Sequence, residues 1–231
     1  MIITILSHVG ASRLNQVGVS RGAGLASQLA MLRTNAGRNV LLIYPKSLTP
    51  SRVSDGAWEA IETKLGAVAY AVLDECLQSE IQSMSPFYND IVIEEETRAI
   101  PGNKSTLTIA DTAIVQIQPG CFGPEIRSKL MKRIVAAQMI NPAIQIFAAV
   151  IGSSDGLSYS DLQSAQDFVA GIRSAVLVKT STDNRYAALR MSGEVTHKLP
   201  RSELGNAGVY GLYRSIFASD QAGLCEQNRN R

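Results

Sequence analysis

The sequence predicts a single α/β domain, doubly wound, in which a mostly parallel sheet carries helices on both faces. Short apolar runs typical of buried strands alternate along the whole chain with segments of helical spacing. The 231 residues fit one domain, and 45% hydrophobic with 18% charged residues is the composition of a folded globular protein. We therefore expect one domain over residues 1–231, with a flexible tail over 222–231.

The first unit of the chain is strand, loop, helix, strand. MIITILS is a predicted buried strand, and a polar loop with glycines follows from His8 to Gly24. LASQLAMLRTNAG has the apolar spacing of a helix that ends at Gly37, and RNVLLIYPKS is the next strand. In such βαβ units the loop before the helix is where phosphate binds.

Further elements follow in alternation. AVAYAVL is compatible with a strand or with the start of a helix, and Ser160 is a predicted helix N-cap. The other predicted elements are a helix around 57–65, the helix DECLQSEIQSM, the strand YNDIVIEEE, a short helix and strand in NKSTLTIADTAIVQIQP, a helix over 124–139, the strand AIQIFAAVIG, the helix SDLQSAQDFVAGI, the strand AVLVK and a helix over 202–217.

Composition excludes several classes of protein. No apolar run reaches the roughly 18 residues of a membrane span, and the N-terminus does not have the pattern of a secretory signal. Three widely spaced cysteines indicate a reducing cytosol rather than a disulfide framework, and neither histidine has metal-ligand neighbours. We expect a cytoplasmic protein that does not associate with a membrane.

Basic residues concentrate in the second half of the chain. Residues 1–115 carry 9 basic and 11 acidic side chains, whereas residues 116–231 carry 13 basic and 9 acidic ones. In PEIRSKLMKRIVAAQM the spacing places Lys129, Lys132 and Arg133 on one helix face. With Arg185 and Arg190 they predict contact with nucleic-acid phosphates without sequence preference. A solvated helix face would give the same pattern.

The first unit resembles the ParA/MinD family of deviant-Walker ATPases, which reads roughly strand, KGGVGKTT, helix, VLLIDAD. Gly37 and Val40-Leu41-Leu42-Ile43 fall where the family has them. Tyr88 to Glu94 resembles the family's second acidic strand, YDYVIID. Further landmarks similar to the family, or to the small plasmid ParA proteins, are Arg98, Ala110-Asp111, Ile117-Gln118-Pro119, Asn141-Pro142 and Arg185-Tyr186. The resemblance implies a P-loop NTPase-like fold.

The nucleotide chemistry of that family is altered here. The resemblance places the phosphate loop on a segment that includes Gly18, Ser20, Arg21, Gly22, Ala23 and Gly24, and no lysine occurs between Met1 and Arg38. Shifting the alignment by one residue puts Arg21 at the lysine. Tyr44 and Lys46 replace two aspartates of the family. Glu94 falls at the metal-linked aspartate, but a run of three glutamates is also typical of a solvated loop.

The resemblance implies a partition or positioning protein, in DNA segregation or conjugative transfer, with little or no ATP hydrolysis. It further implies a homodimer, contact with duplex DNA without sequence preference, a centromere-binding or relaxosome-type protein partner and association with the nucleoid. We assign no catalytic residue and no metal ligand, and expect ATP and Mg²⁺ only if the altered loop still binds them. Two alternatives stay open: an active ATPase with an unusual P-loop, and a regulatory partner of an intact ParA-like ATPase.

Overall fold

The computed structural model describes residues 1–7, 25–45, 59–63, 66–73, 78–96, 106–117, 120, 122–152, 159–181 and 208–217. In these ranges eight strands form one sheet in the order β3-β4-β2-β5-β1-β6-β7-β8. All neighbouring strands are parallel except the edge pair β3 and β4. The strands are β1 Ile2–Ser7, β2 Val40–Pro45, β3 Glu59–Thr63, β4 Gly66–Leu73, β5 Asp90–Glu96, β6 Thr112–Ile117, β7 Gln145–Gly152 and β8 Ala175–Ser181.

Helices cover both faces of this sheet, so the predicted α/β class and doubly wound arrangement are confirmed. The described helices are α1 Leu25–Asn35, α2 Gln78–Met84, α3 Pro124–Ile140, α4 Tyr159–Ala170 and α5 Gly208–Ile216, with 3₁₀ turns at Ser85–Phe87 and Thr106–Thr108.

One face carries α1 and α5. Leu25 and Leu29 of α1 pack with Leu212 and Ile216 of α5 over alternate residues of the strands, such as Val92. The helix α1 ends as the sequence predicts, because Gly37 has a φ of 80° and its N–H donates to the Thr34 carbonyl.

The opposite face carries the other helices. Leu130, Ile134 and Ala137 of α3 are buried against the sheet together with Ala165 and Phe168 of α4. Ile81 of α2 packs beside them on the β2 and β5 side. The helices α3 and α4 therefore bury the apolar side chains of one face, as their spacing predicts, whereas α2 buries only Ile81.

Some predicted elements differ from the structure. The helix expected around residues 57–65 is wrong, because Glu59–Thr63 is β3 and pairs antiparallel with β4, Thr63 lying opposite Gly66. Pairing with a neighbouring strand overrides the weak local preference for helix. Ser160 is not the N-cap, since α4 already begins at Tyr159. The run AVAYAVL, left open by the sequence, lies in the strand β4.

The amino end of β5 holds a buried ion pair that the sequence did not reveal. Asp90 has no exposed side-chain surface, and its Oδ2 lies 2.7 Å from Nε of Arg33 and 3.4 Å from Nε of Arg38. The Arg33 guanidinium also stacks 3.8 Å above the ring of Phe217, directly after α5. This ion pair connects α1, β5 and the end of α5 at the amino end of the central strand β5.

Candidate functional site

The carboxyl edge of the parallel sheet is where ligands bind in this class of fold. The strand β1 lies at the centre of the sheet, and its last residue, Ser7, is in register with Glu96 of β5. The chain leaves β1 toward α1, which begins at Leu25. The predicted phosphate-loop residues lie between these two elements and outside the described residues: Gly18, Ser20, Arg21, Gly22, Ala23 and Gly24.

Adjacent glutamates of β5 lie on opposite faces of the sheet. Side chains alternate along a strand, so Glu94 shares the face of Val92, which packs against α1. Glu94 is half-buried and in register with Ile5, two residues before β1 ends. The structure therefore places Glu94 near the point where the chain leaves β1 toward the predicted phosphate loop.

Glu95 lies on the other face, beside Ile91 and Ile93, and is fully buried. The interpretation of the three glutamates as a solvated loop is thus wrong, since all three belong to β5 and Glu95 is inside the protein. An ionised carboxylate in that position needs both a cation and hydrogen-bond donors.

The structure supplies these partners from two elements, α3 and the 3₁₀ turn before β6. Arg133 of α3 forms an ion pair with Glu95. The backbone N–H of Thr106 donates to Glu95 Oε2 at 3.0 Å, and the Thr106 hydroxyl donates to the same oxygen. The two hydroxyls of Thr106 and Thr4 are themselves 2.8 Å apart. This buried polar cluster, Glu95, Arg133, Thr106 and Thr4, joins β5, α3, β1 and the 3₁₀ turn before β6.

Arg133 is therefore not on the exposed basic face that its spacing suggested. Its side chain is 10% exposed and lies on the same side of α3 as Leu130, Ile134 and Ala137. Burial lowers the pKa of Arg133 from its ordinary value. The prediction that Arg133 shares a solvent face with Lys129 and Lys132 is therefore wrong, because its side chain is buried against Glu95.

Lys129 and Lys132 do lie on the outer side of α3, where both are exposed to solvent. Lys129 Nζ donates to Glu125 Oε1 at 2.7 Å, one helical turn away. This hydrogen bond and the lysine charge lower the pKa of Glu125 below its ordinary value of 4.5. The Glu125–Lys129 ion pair is thus present above about pH 4.5 and is lost as the pH falls through the lowered pKa of Glu125. Because both side chains are exposed, the pair contributes little to stability. Arg185 and Arg190 lie outside the described residues.

The described part of the chain contains neither a metal-type cluster nor a membrane-spanning helix. Among the described residues no group of three or more His, Cys, Asp or Glu side chains is arranged to hold a metal ion. In the same ranges, none of the helices is long and apolar enough to cross a membrane.

Comparison of the fold with solved structures decides its type. No protein-family model and no curated protein sequence matches the chain. The MinD cell division protein of Aquifex aeolicus superposes with a TM-score of 0.56 at 13% identity, over 94% of this chain and 96% of that one. The chain has the MinD/ParA-type fold.

Two more structures with this fold are similar over nearly the full length of the chain. An McdA–ATP complex from Cyanothece has a TM-score of 0.60 at 9% identity, covering 94% of this chain and 96% of that one. The cell division ATPase MinD of Pyrococcus furiosus has a TM-score of 0.55 at 17% identity, covering 94% and 98%. The predicted P-loop NTPase-like architecture is confirmed by these likenesses.

Proposed function

We propose that this protein is a ParA/MinD-type positioning or partition protein that hydrolyses little or no ATP and acts through self-association and contact with DNA or a protein partner. One observation carries the proposal: a chain with the MinD/ParA-type fold has no lysine between Met1 and Pro45. In this fold a lysine next to the β- and γ-phosphates supplies much of the charge that phosphoryl transfer requires.

The donor set of the chain does not fit a productive Mg·ATP site. Glu94, on the α1 face of β5, is a suitable acceptor for a metal-bound water. The residue expected to give Mg²⁺ a hydroxyl is Ala23 or Gly24, or Gly22 in the shifted alignment, and none has a side-chain oxygen. Arg21 would bring a planar guanidinium in place of a compact ammonium. We derive no catalytic step through ATP.

Two alternative functions have some support. The position of Glu94 favours an active ATPase with an unusual loop, and the McdA structure with this fold is a complex with ATP. A regulatory partner of an intact ParA-like ATPase is the second alternative. MinD of Aquifex aeolicus is also known as a complex with MinC, so a protein partner is compatible with this fold.

Self-association is proposed to be independent of nucleotide. Without a bridging ATP, a homodimer has to be stabilised by apolar and polar protein surface alone, over about 1,000 Å² or more in total. The partner and location that we propose are a centromere-binding or relaxosome-type protein and the nucleoid of a bacterial cytoplasm.

The outer side of α3 is the proposed DNA surface. Lys129 and Lys132 are both exposed there, while Arg133 is held inside by Glu95. Contact is expected with phosphates rather than with base edges, because two lysines on a helix flank carry no base-reading pattern. Glu125 competes with phosphate for Lys129.

Lys129→Ala combined with Lys132→Ala is expected to weaken binding to unrelated duplex sequences by a similar factor. The salt dependence should also become flatter, by about 0.9 in the slope of log K against log salt for each phosphate that the variant no longer neutralises. Gel shifts over a series of salt concentrations, with random and AT-rich duplexes, measure both quantities.

The matched control is Glu125→Gln, which removes the competing anion and leaves both lysines in place. Its affinity for DNA should equal or exceed that of the wild type. No retention of wild-type protein at about 50 mM salt, or retention unaffected by the double substitution, removes this surface and favours the regulatory alternative.

A further inference from the structure

The two edge strands of the sheet differ in how well their sequences protect them from pairing with another strand. The strand β3 is five residues long and includes two glutamates. Short length and charge are features by which proteins keep an edge strand from pairing. The opposite edge strand, β8, is seven residues long, begins with Ala-Val-Leu-Val and has Lys179 as its single charge. By sequence, β8 is therefore the edge more open to a further strand.

The strand β8 is also regular. Its seven residues follow β7 in unbroken parallel register, from Ala175 opposite Ile146 to Ser181 opposite Gly152. No bulge therefore bends this edge away from a neighbour. Among the described residues β8 ends the sheet, and no further strand pairs with its outer side.

Helices cover β8 incompletely on both faces. All the residues of β7 from Ile146 to Val150 are buried, whereas Leu177 and Val178 of β8 are only partly buried and Val176 is 46% exposed. Leu177 lies on the α4 face and Val178 on the α5 face, so apolar surface remains on both. Parallel sheets are normally covered on both faces. A lone peptide strand would cover neither face, whereas a second copy of this chain brings β8 together with its own α4 and α5.

Two-fold symmetry makes β8 complementary to itself. An axis perpendicular to the sheet pairs the strand antiparallel with its copy and keeps like faces on the same side. With the axis at Val178, the middle residue, all seven residues are paired and Val178 lies opposite its own copy. Lys179 then lies opposite Leu177, and the two Lys179 positions do not face each other. This register avoids like charges in opposite positions, which destabilise a strand pair.

We propose that two copies of the chain associate through β8 and form one sheet that continues from subunit to subunit. The inference rests on the self-association proposed above and assigns it a surface. In the sheet order β8 is three strands away from β1, roughly 14 Å at about 4.8 Å per strand. Because the predicted phosphate loop follows β1, the β8 interface requires no residue of that loop and forms without nucleotide.

Sedimentation velocity of the full chain without nucleotide, over a range of protein concentrations, measures the association. Val176→Lys should weaken dimerisation by about tenfold or more, because it places an unpaired charge in the interface. Two controls should retain the wild-type dimer. Val176→Thr keeps a β-branched residue in the strand, and Met139→Lys makes the same change at an exposed apolar residue of α3.

Oxidative crosslinking provides a second measurement if Val176→Lys does not fold. In Val178→Cys the two introduced thiols face each other across the axis, where opposite Cβ atoms are about 4.5–5.5 Å apart. Mild oxidation should then give a disulfide between the two copies of residue 178, identified by peptide mass spectrometry. Ala136→Cys, at an exposed position of α3, is the control and should give no such product.

The outcomes separate this interface from self-association in general. A dimer that persists in Val176→Lys, with no disulfide between the two copies of residue 178, overturns the β8 interface alone. Dissociation in Met139→Lys but not in Val176→Lys places the interface on α3 and also overturns it. A wild-type protein that is monomeric at every concentration overturns both the β8 interface and the proposed self-association.

Discussion

Arg133→Met is expected to destabilise the folded protein by about 3–5 kcal/mol, because it leaves the Glu95 carboxylate buried without its cation. Thr106 would still donate its hydrogen bonds to Glu95, but these do not neutralise the charge. Methionine retains most of the volume of the arginine stem, so little of the loss can be attributed to a cavity. Since most domains are stable by only about 5–15 kcal/mol, the effect should be large.

Urea denaturation followed by circular dichroism gives the free energy of unfolding. The control is Arg133→Met combined with Glu95→Leu, which replaces the ion pair with an apolar pair and should recover most of the stability. A loss below about 1 kcal/mol in the single variant, or an equal loss in the double variant, would show that Glu95 does not depend on Arg133.

Asp90→Ala is the second substitution with a large expected effect, again about 3–5 kcal/mol of unfolding free energy. Asp90 neutralises Arg33, whose side chain is only 3% exposed and which is also enclosed by the ring of Phe217. Without Asp90 the buried Arg33 guanidinium, between α1 and the end of α5, loses the carboxylate that lies 2.7 Å from its Nε. The packing of α5 on the sheet should weaken along with overall stability.

Asp111→Ala is the matched control for this change. Asp111 is exposed and accepts a hydrogen bond of 2.7 Å from the backbone N–H of Ile2, an interaction of about 1 kcal/mol. Hydrogen exchange in residues 208–217 should accelerate in Asp90→Ala and remain nearly unchanged in Asp111→Ala. Equal effects of the two substitutions would mean that Asp90 acts only as a local hydrogen-bond acceptor.

Much of the fold could be predicted because its signals are local. The apolar runs of β1, β2, β6 and β7 and the helix stop at Gly37 depend on neighbouring residues alone. The edge strand β3 could not be predicted in this way, since its conformation depends on pairing with β4.

The burial of Glu95 and Arg133 could not be predicted from sequence motifs alone. Alternation in DIVIEEE places Glu95 on the same side as Ile91 and Ile93, a signal for burial that the count of three glutamates obscured. Arg133 precedes Ile134 directly, so it borders the buried stripe as well as the basic face. Its partner is distant in sequence, and only the three-dimensional structure reveals that pairing.

Phosphate release from Mg·ATP tests most directly whether nucleotide hydrolysis is lost. With no lysine before Lys46, the transferring phosphoryl group lacks stabilisation on the order of several kcal/mol, and release should equal the protein-free background with and without duplex DNA. The comparison includes the variants Arg21→Ala and Gly22→Val, which should not differ from the wild type. A clear rate in the wild-type protein that either substitution abolishes would contradict the proposed loss of ATP hydrolysis and establish an active ATPase with an unusual phosphate loop.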